Sequence, residues 1–250
     1  MFNEYVLVLL FSHLLGDFIF QSEKLTKKKN EKFKYVALHG AIYAGAAFAT
    51  SLPIFSLELI IALMAFTLSH FIIDSIKFLT IRKLKGINFF VSRTKTMVFI
   101  IDQVMHMVVL LSIAAVYTLN GASLAVLPQI KNIIGRLEIH PQSILPWLVL
   151  LIAVGKPCNI TIKHLIMTYR PEEKFVGDSN SAGAFIGILE RLLIVVLLSV
   201  GQYAAIGLVL TAKSIARYQK IVEDKAFAEY YLLGTLLSVL FVIISFLLLF

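Results

Sequence analysis

Long apolar stretches separated by short polar ones organise this chain. The apolar runs cover residues 5–21, 35–52, 57–80, 96–118, 144–168, 183–212 and 229–249. Each is close to or above the roughly 20 residues that a helix rising about 1.5 Å per residue needs to cross about 30 Å of hydrocarbon. Backbone groups have no water partner in hydrocarbon, so runs of this length predict helices; the alternating segments of a membrane barrel do not occur. The expected fold class is all-α, a polytopic transmembrane helix bundle of seven to eight spans. It is read as a single transmembrane domain over 1–250, with polar-bearing helices in 1–118 and C-terminal helices in 144–250. The span count turns on the sixth stretch, which ends in a basic segment, Lys213, Arg217, Lys220 and Lys225. A broken or hairpin segment near 200–202 would return those charges to the face they came from, whereas one long tilted helix would not. A short interfacial piece is expected over 134–139.

Composition agrees with this reading. Hydrophobic residues make up 59% and charged residues 15%, against about 45–50% and about 25% in soluble domains. The net charge of +8 matters through its placement. Lysines and arginines cluster after the first, third and fifth stretches, at Lys24, Lys27, Lys28, Lys29, Lys32 and Lys34, then Arg82, Lys83, Lys85, Arg93 and Lys95, then Arg170 and Lys174. The positive-inside rule puts these loops in the cytoplasm and the N-terminus outside, as in a multi-pass protein of the bacterial cytoplasmic (inner) membrane. Membrane lipids are the expected partners and nucleic acid is not. The Lys24 to Lys34 run is read as a solvated contact with anionic lipid. The first stretch has Glu4 in front and no small-residue cleavage site behind, so it is read as a retained helix. The lone Cys158 excludes an internal disulfide and argues against a cysteine-based zinc site.

Polar residues inside the apolar runs then change the picture. His13 and Asp17, His70 and Asp74, and Asp102 and His106 are each four residues apart, which places each pair on one face of a helix. His39 enters near the start of the second run. At helical rise, Asp17, Asp74 and Asp102 each lie roughly 10–12 Å from a flanking basic residue, so every Asp sits toward the cytoplasm and every His deeper. One ionised side chain at mid-membrane costs about 2.5–3.5 kcal/mol on insertion scales, so these groups must pair, face water or bind a cation. Imidazole with carboxylate suits zinc first, and also manganese or iron. The metal-ligating candidates are therefore His13, Asp17, His39, His70, Asp74, Asp102 and His106, holding one divalent metal or two. The same residues would equally serve an ion-free hydrogen-bonded network or a proton relay. Glu190 is a candidate ligand or general base, and Lys77, Gln21 and Gln103 flank the pairs and complete the candidate catalytic set. His140 and His164, in or near loops, are left out.

The segments HLLGDFIFQSEKLTKKK at 13–29, SHFIIDSIK at 69–77, DQVMH at 102–106, SAGAFIGILERLL at 181–193 and LVLTAKSIARY at 208–218 resemble the bacterial membrane family catalogued as domain of unknown function 3307. That resemblance draws attention to Asn180, Glu190, Arg191, Lys213 and Arg217 as well. Physically, Asn180 would cap a helix, and Gly183 and Gly187 would open a groove for a neighbouring helix. Glu190 would pair with Arg191 or Lys213. More distantly, the paired His and Asp motifs are similar to those of LexA-regulated inner-membrane proteins described as metal-dependent hydrolases. The expectation is an integral membrane metal-dependent hydrolase acting on a lipid-like or small anionic substrate from the cytoplasmic leaflet. The alternative is a transporter or channel for a cation, proton or small solute.

Overall fold

The computed structural model describes residues 3–54, 56–84, 92–122, 124, 126–136, 141–169 and 180–250, and no strand occurs among them. The helices are α1 (Glu4–Leu14), which runs into a π turn over Leu15–Ile19, α2 (Glu23–Lys29), α3 (Phe33–Ser51), α4 (Leu57–Leu84) and α5 (Ser92–Leu119). They continue as α6 (Pro128–Arg136), α7 (Pro141–Ala153), α8 (Lys156–Leu165), α9 (Asn180–Ser199), α10 (Tyr203–Ile215), α11 (Tyr218–Glu223) and α12 (Lys225–Leu249). Side chains mark several starts: Asn3 accepts from the Tyr5 N–H, Ser22 from Leu25 and Asp224 from Phe227. Each satisfies a donor that the first helical turn leaves without a partner.

The helices turn their apolar sides outward. Along α4, Leu57, Ile61, Met64, Leu68, Ile72, Ile76 and Leu79 are exposed, while His70 and Asp74 are buried. On α5, Ile101, Met105, Val108 and Leu111 are exposed, while Asp102 and His106 are buried. A helix that shows leucine outside and hides histidine inside is built for a lipid solvent. Three helices, Leu57–Lys83, Arg93–Leu119 and Lys225–Leu249, are long and apolar enough to cross a membrane. The number rises to five if each of two bent pairs forms one span. One bent pair is the first stretch, which turns by 89° between Glu4–Ile19 and Glu23–Lys29. The other joins Ile144–Ala153 to Lys156–Leu165. The second predicted stretch, now α3, is diluted by Lys34, His39 and a run of Ala and Gly, and is not among the candidate spans. The sixth stretch is two helices and not one long one: α9 stops at Ser199, α10 starts at Tyr203, and Gly201 between them has φ of 70°. A left-handed backbone there suits glycine, which lacks the Cβ that would clash. The piece expected over 134–139 begins earlier, as α6, and residues 137–140, including His140, lie outside the described set.

The chain divides into two compact units, Met1–Ile152 and Ala153–Phe250. In the first, α1, α3, α4 and α5 pack on one another, and α2 packs on α3. Their core contains Tyr5, Val8, Leu9, Tyr43, Leu59, Phe66 and Leu110. Ser12 on α1 and Thr50 on α3 share a buried hydrogen bond of 2.7 Å. In the second unit, α8, α9 and α12 pack together, with α10 against α9.

Candidate functional site

Asp17 lies in the π turn at the end of α1, so the His13 and Asp17 pair does not sit on a regular helix. A π turn widens the spiral and re-aims the side chain it carries, and such turns are frequent at functional sites. Gly16 beside it makes the geometry feasible: a Cβ there would overlap the Tyr43 ring. That ring in turn stacks on His70, with centroids 3.8 Å apart.

The re-aimed carboxylate is the hub of the first unit. Its Oδ1 is 2.8 Å from His70 Nε2 and 3.1 Å from His39 Nε2, and its Oδ2 is 3.9 Å from His13 Nε2. Three imidazoles from α1, α3 and α4, all fully buried, thus converge on one carboxylate. Tyr43 Oη is 3.4 Å from His13 Nδ1, and Gln103 Oε1 is 3.4 Å from His13 Nε2.

The other two carboxylates have lysine partners. Lys29 Nζ donates to both oxygens of Asp74, at 3.0 and 2.9 Å, and to Gln21 Oε1 at 3.1 Å. Lys29 is only 5% exposed, which corrects the reading of the whole Lys24 to Lys34 run as a solvated lipid contact. The cause is the 89° turn after the π segment, which lays α2 against α3 and points Leu25 and Lys29, one helical turn apart, inward. The intervening residues of α2 stay exposed. The same turn means that distances from Asp17 to the lysines do not follow straight helical rise. Lys77 Nζ donates to Asp102 Oδ2 at 2.7 Å, and Gln103 Nε2 donates to the same oxygen at 3.3 Å. Of the residues expected to flank the pairs, Lys77 and Gln103 touch the cluster directly and Gln21 reaches it through Lys29.

His106 stands differently. Its Nδ1 donates to the Asp102 carbonyl oxygen at 2.8 Å, which leaves the lone pair of the neutral ring on Nε2. That atom is buried with no hydrogen-bond partner among the described residues, as are His39 Nδ1, His70 Nδ1 and Asp102 Oδ1. The His106 ring lies 4.2 Å from His70 and 5.2 Å from His13, centroid to centroid.

The donor set suits a divalent ion. His13, Asp17 and His70 offer donor atoms within 4.8 Å of one another, and so do His39, His70 and Asp74. His70 belongs to both groups, with Nε2 toward Asp17 and Nδ1 3.8 Å from Asp74 Oδ2. A neutral imidazole carries one N–H, so it would confront one of these carboxylates with a lone pair, a conflict that a cation between them removes. Three carboxylates against two ammonium groups also leave one negative charge in the cluster if the imidazoles are neutral. Asp102 and His106, 3.9 Å apart, belong to neither donor group.

The second unit handles its buried charges separately. Glu190 Oε2 is 2.5 Å from Lys213 Nζ, and Lys213 also reaches Thr235 and lies over the Tyr231 ring. Of the two partners expected for Glu190, Lys213 is the one found. Arg191, 2% exposed, donates instead to neutral acceptors: Nε to Val154 O at 2.5 Å, Nη2 to Asn159 Oδ1 at 2.6 Å and Gly155 O at 3.4 Å, and Nη1 to Ser238 Oγ at 3.2 Å. These carbonyls lie at the break before α8, where Gly155 O also accepts from the Asn159 N–H at 3.3 Å. Of the groove expected at Gly183 and Gly187, the described residues show α8 approaching at Gly187, where Asn159 Nδ2 donates to Ala184 O at 3.3 Å, and none approaching at Gly183. Gly183 has open space where a Cβ would be, and Gly187 faces the Arg191 guanidinium and Asn159. Asn180 begins α9, but its side chain lies outside the described set, and Arg217 precedes α11 without a side-chain cap.

Taken together, the outward apolar faces and the buried ionisable cluster are those of an α-helical membrane protein with a polar centre among its helices. The chain belongs to the family described as Protein of unknown function (DUF3307), whose model matches residues 5–134 and so covers α1 to α5 and the entire His and Asp cluster. The C-terminal segments quoted above fall beyond that match. No curated protein and no solved structure matches the chain.

Two residues of the site escaped sequence reasoning. Lys29 was hidden in a run of lysines, and only its i,i+4 spacing from Leu25 marks an inward face. Tyr43 stands four residues after His39, the same interval as the three acidic pairs, but carries no charge.

Proposed function

We propose that the chain is a multi-pass protein of the bacterial inner membrane, crossing it seven or eight times, and that it binds a divalent metal ion between α1 and α4. The holding residues are His13, Asp17 and His70, with His39 beside Asp17. The supporting observation is the position of Asp17, the carboxylate on which three imidazoles converge and which has no lysine partner among the described residues. Zinc fits this nitrogen-rich set first, and manganese or iron next.

The reading extends to metal-dependent hydrolysis of a lipid-like or small anionic substrate drawn from the cytoplasmic leaflet. An ion there would lower the pKa of a bound water and polarise the scissile carbonyl or phosphoryl group. The chain supplies the rest. His106 presents an unbonded Nε2 as proton acceptor, oriented by the Asp102 carbonyl. Lys77, whose side chain is 22% exposed, meets the anionic group, and Gln21 and Gln103 hold the cluster's edges. Glu190 belongs to the second unit, where Lys213 is its partner. Elemental analysis of protein purified in detergent tests the metal: one divalent ion per chain is expected, reduced at least about 10–100-fold in affinity by Asp17→Asn. Absence of metal under every preparation overturns the reading.

A second reading has its own support. Lys29 with Asp74 and Lys77 with Asp102 neutralise two carboxylates without an ion, and intramembrane pairs of this type also serve cation or proton carriers. A proteoliposome flux of protons or metal, lost in Asp17→Asn, would make transport the function.

A further inference from the structure

The donor group made by His39, His70 and Asp74 is complete in kind but not open. His39 Nε2 is 3.4 Å and His70 Nδ1 is 3.8 Å from Asp74 Oδ2, and all three side chains are buried. The Lys29 ammonium lies 2.9 Å from that same oxygen. Two imidazoles and a carboxylate form a ligand set for a transition-metal ion, yet an ammonium and a divalent ion repel each other and cannot share one carboxylate oxygen at contact distance.

We propose that His39, His70 and Asp74 form a second divalent-cation position, closed in this chain by Lys29 as a built-in cation, so that the centre holds one ion with Lys29 docked and two without it. This rests on the metal reading of Asp17. His70 serves both positions, Nε2 facing the Asp17 side and Nδ1 the Asp74 side, so with two ions bound it bridges them as an imidazolate and its ring proton is released to the medium. The closing group is separable from the ligands, because it comes from α2, on which only Leu25 and Lys29 are buried, whereas the ligands come from α3 and α4. Gln21, at 3.1 Å, holds the ammonium in place without adding charge.

The test uses the full chain in detergent, stripped with a chelator and titrated with Zn²⁺, with bound metal counted by calorimetry and elemental analysis. The wild-type chain takes up one equivalent. Lys29→Met takes up two, and Lys29→Arg, which keeps the positive charge, returns to one. Adding His39→Ala to Lys29→Met also returns the count to one. Lys29→Gln keeps a polar group beside Gln21 and Asp74 and gives the second equivalent even if the methionine variant fails to fold. A single equivalent in both Lys29→Met and Lys29→Gln overturns the second position and leaves the first standing, as do two equivalents in the wild type. No binding in any variant overturns the metal reading itself.

Discussion

The two units bury ionisable groups in opposite ways. In the second, Arg191 spends its donors on two backbone carbonyls, an amide and a hydroxyl, and Glu190 is matched by Lys213. In the first, four charged or chargeable groups, His13, His39, His70 and Lys29, surround Asp17 and Asp74, and four buried polar atoms of the cluster have no hydrogen bond among the described residues. A guanidinium whose donors meet fixed carbonyls mends a break in a helix. A cluster with spare lone pairs on His39, His70 and His106 is equipped to take something up. Buried charge therefore does not by itself mark a reactive site, and neither does a single unmet atom, since Glu190 Oε1 and Tyr231 Oη of the second unit also lack a hydrogen bond among the described residues; what sets the first unit apart is that its unmet atoms gather on neighbouring imidazoles.

Substitutions separate the two roles. The largest loss of stability is expected from Arg191→Met, which strips the donors from the Val154 carbonyl and the Asn159 amide oxygen; at roughly 1–3 kcal/mol for each acceptor left alone, the variant loses about 3 kcal/mol. Thermal unfolding in detergent should show this with metal content unchanged, and a loss of metal would break the distinction. Gly16→Ala comes next. The new methyl group must push Tyr43 off His70, for about 1–3 kcal/mol of overpacking, and metal affinity should fall together with the melting temperature. Ser12→Ala is the smallest. It removes the bond to Thr50 within the first unit but outside the cluster, and about 0.6 kcal/mol, the average for such bonds between membrane helices, is expected with metal binding intact.

Much of the first unit was legible in the sequence. A polar pair at i and i+4 inside an apolar run has one cheap placement, the interior of the bundle, so His13, His70, Asp74, Asp102 and His106 could be assigned to one pocket before any coordinates. That the His of three such pairs meet is in keeping with the order of Asp and His along successive apolar runs. What could not be read was local. A π turn has no signature in the composition of LGDFI; Asp17 stays beside His13, as its spacing implied, while the contacts it also makes with His39 on α3 and His70 on α4 were not legible. The inward Lys29 looks like its neighbours until the chain bends. In the second unit the break near Gly201 was visible from the charge that follows it, but the break at Val154 was not. Its Val154 carbonyl is satisfied by a residue 37 positions later, and pairing of that kind leaves no local pattern.

The Lys29–Asp74 pair spans 45 residues, and that separation orders events during biosynthesis. When Lys29 leaves the ribosome its carboxylate has not been made, so it arrives as one more positive charge among the lysines that follow the first apolar stretch. Only after α4 has been threaded into the bilayer does an acceptor exist for it. The same lysine is thus first a charge without its carboxylate and later a structural bolt, and α2 cannot swing home until the third apolar stretch is in place.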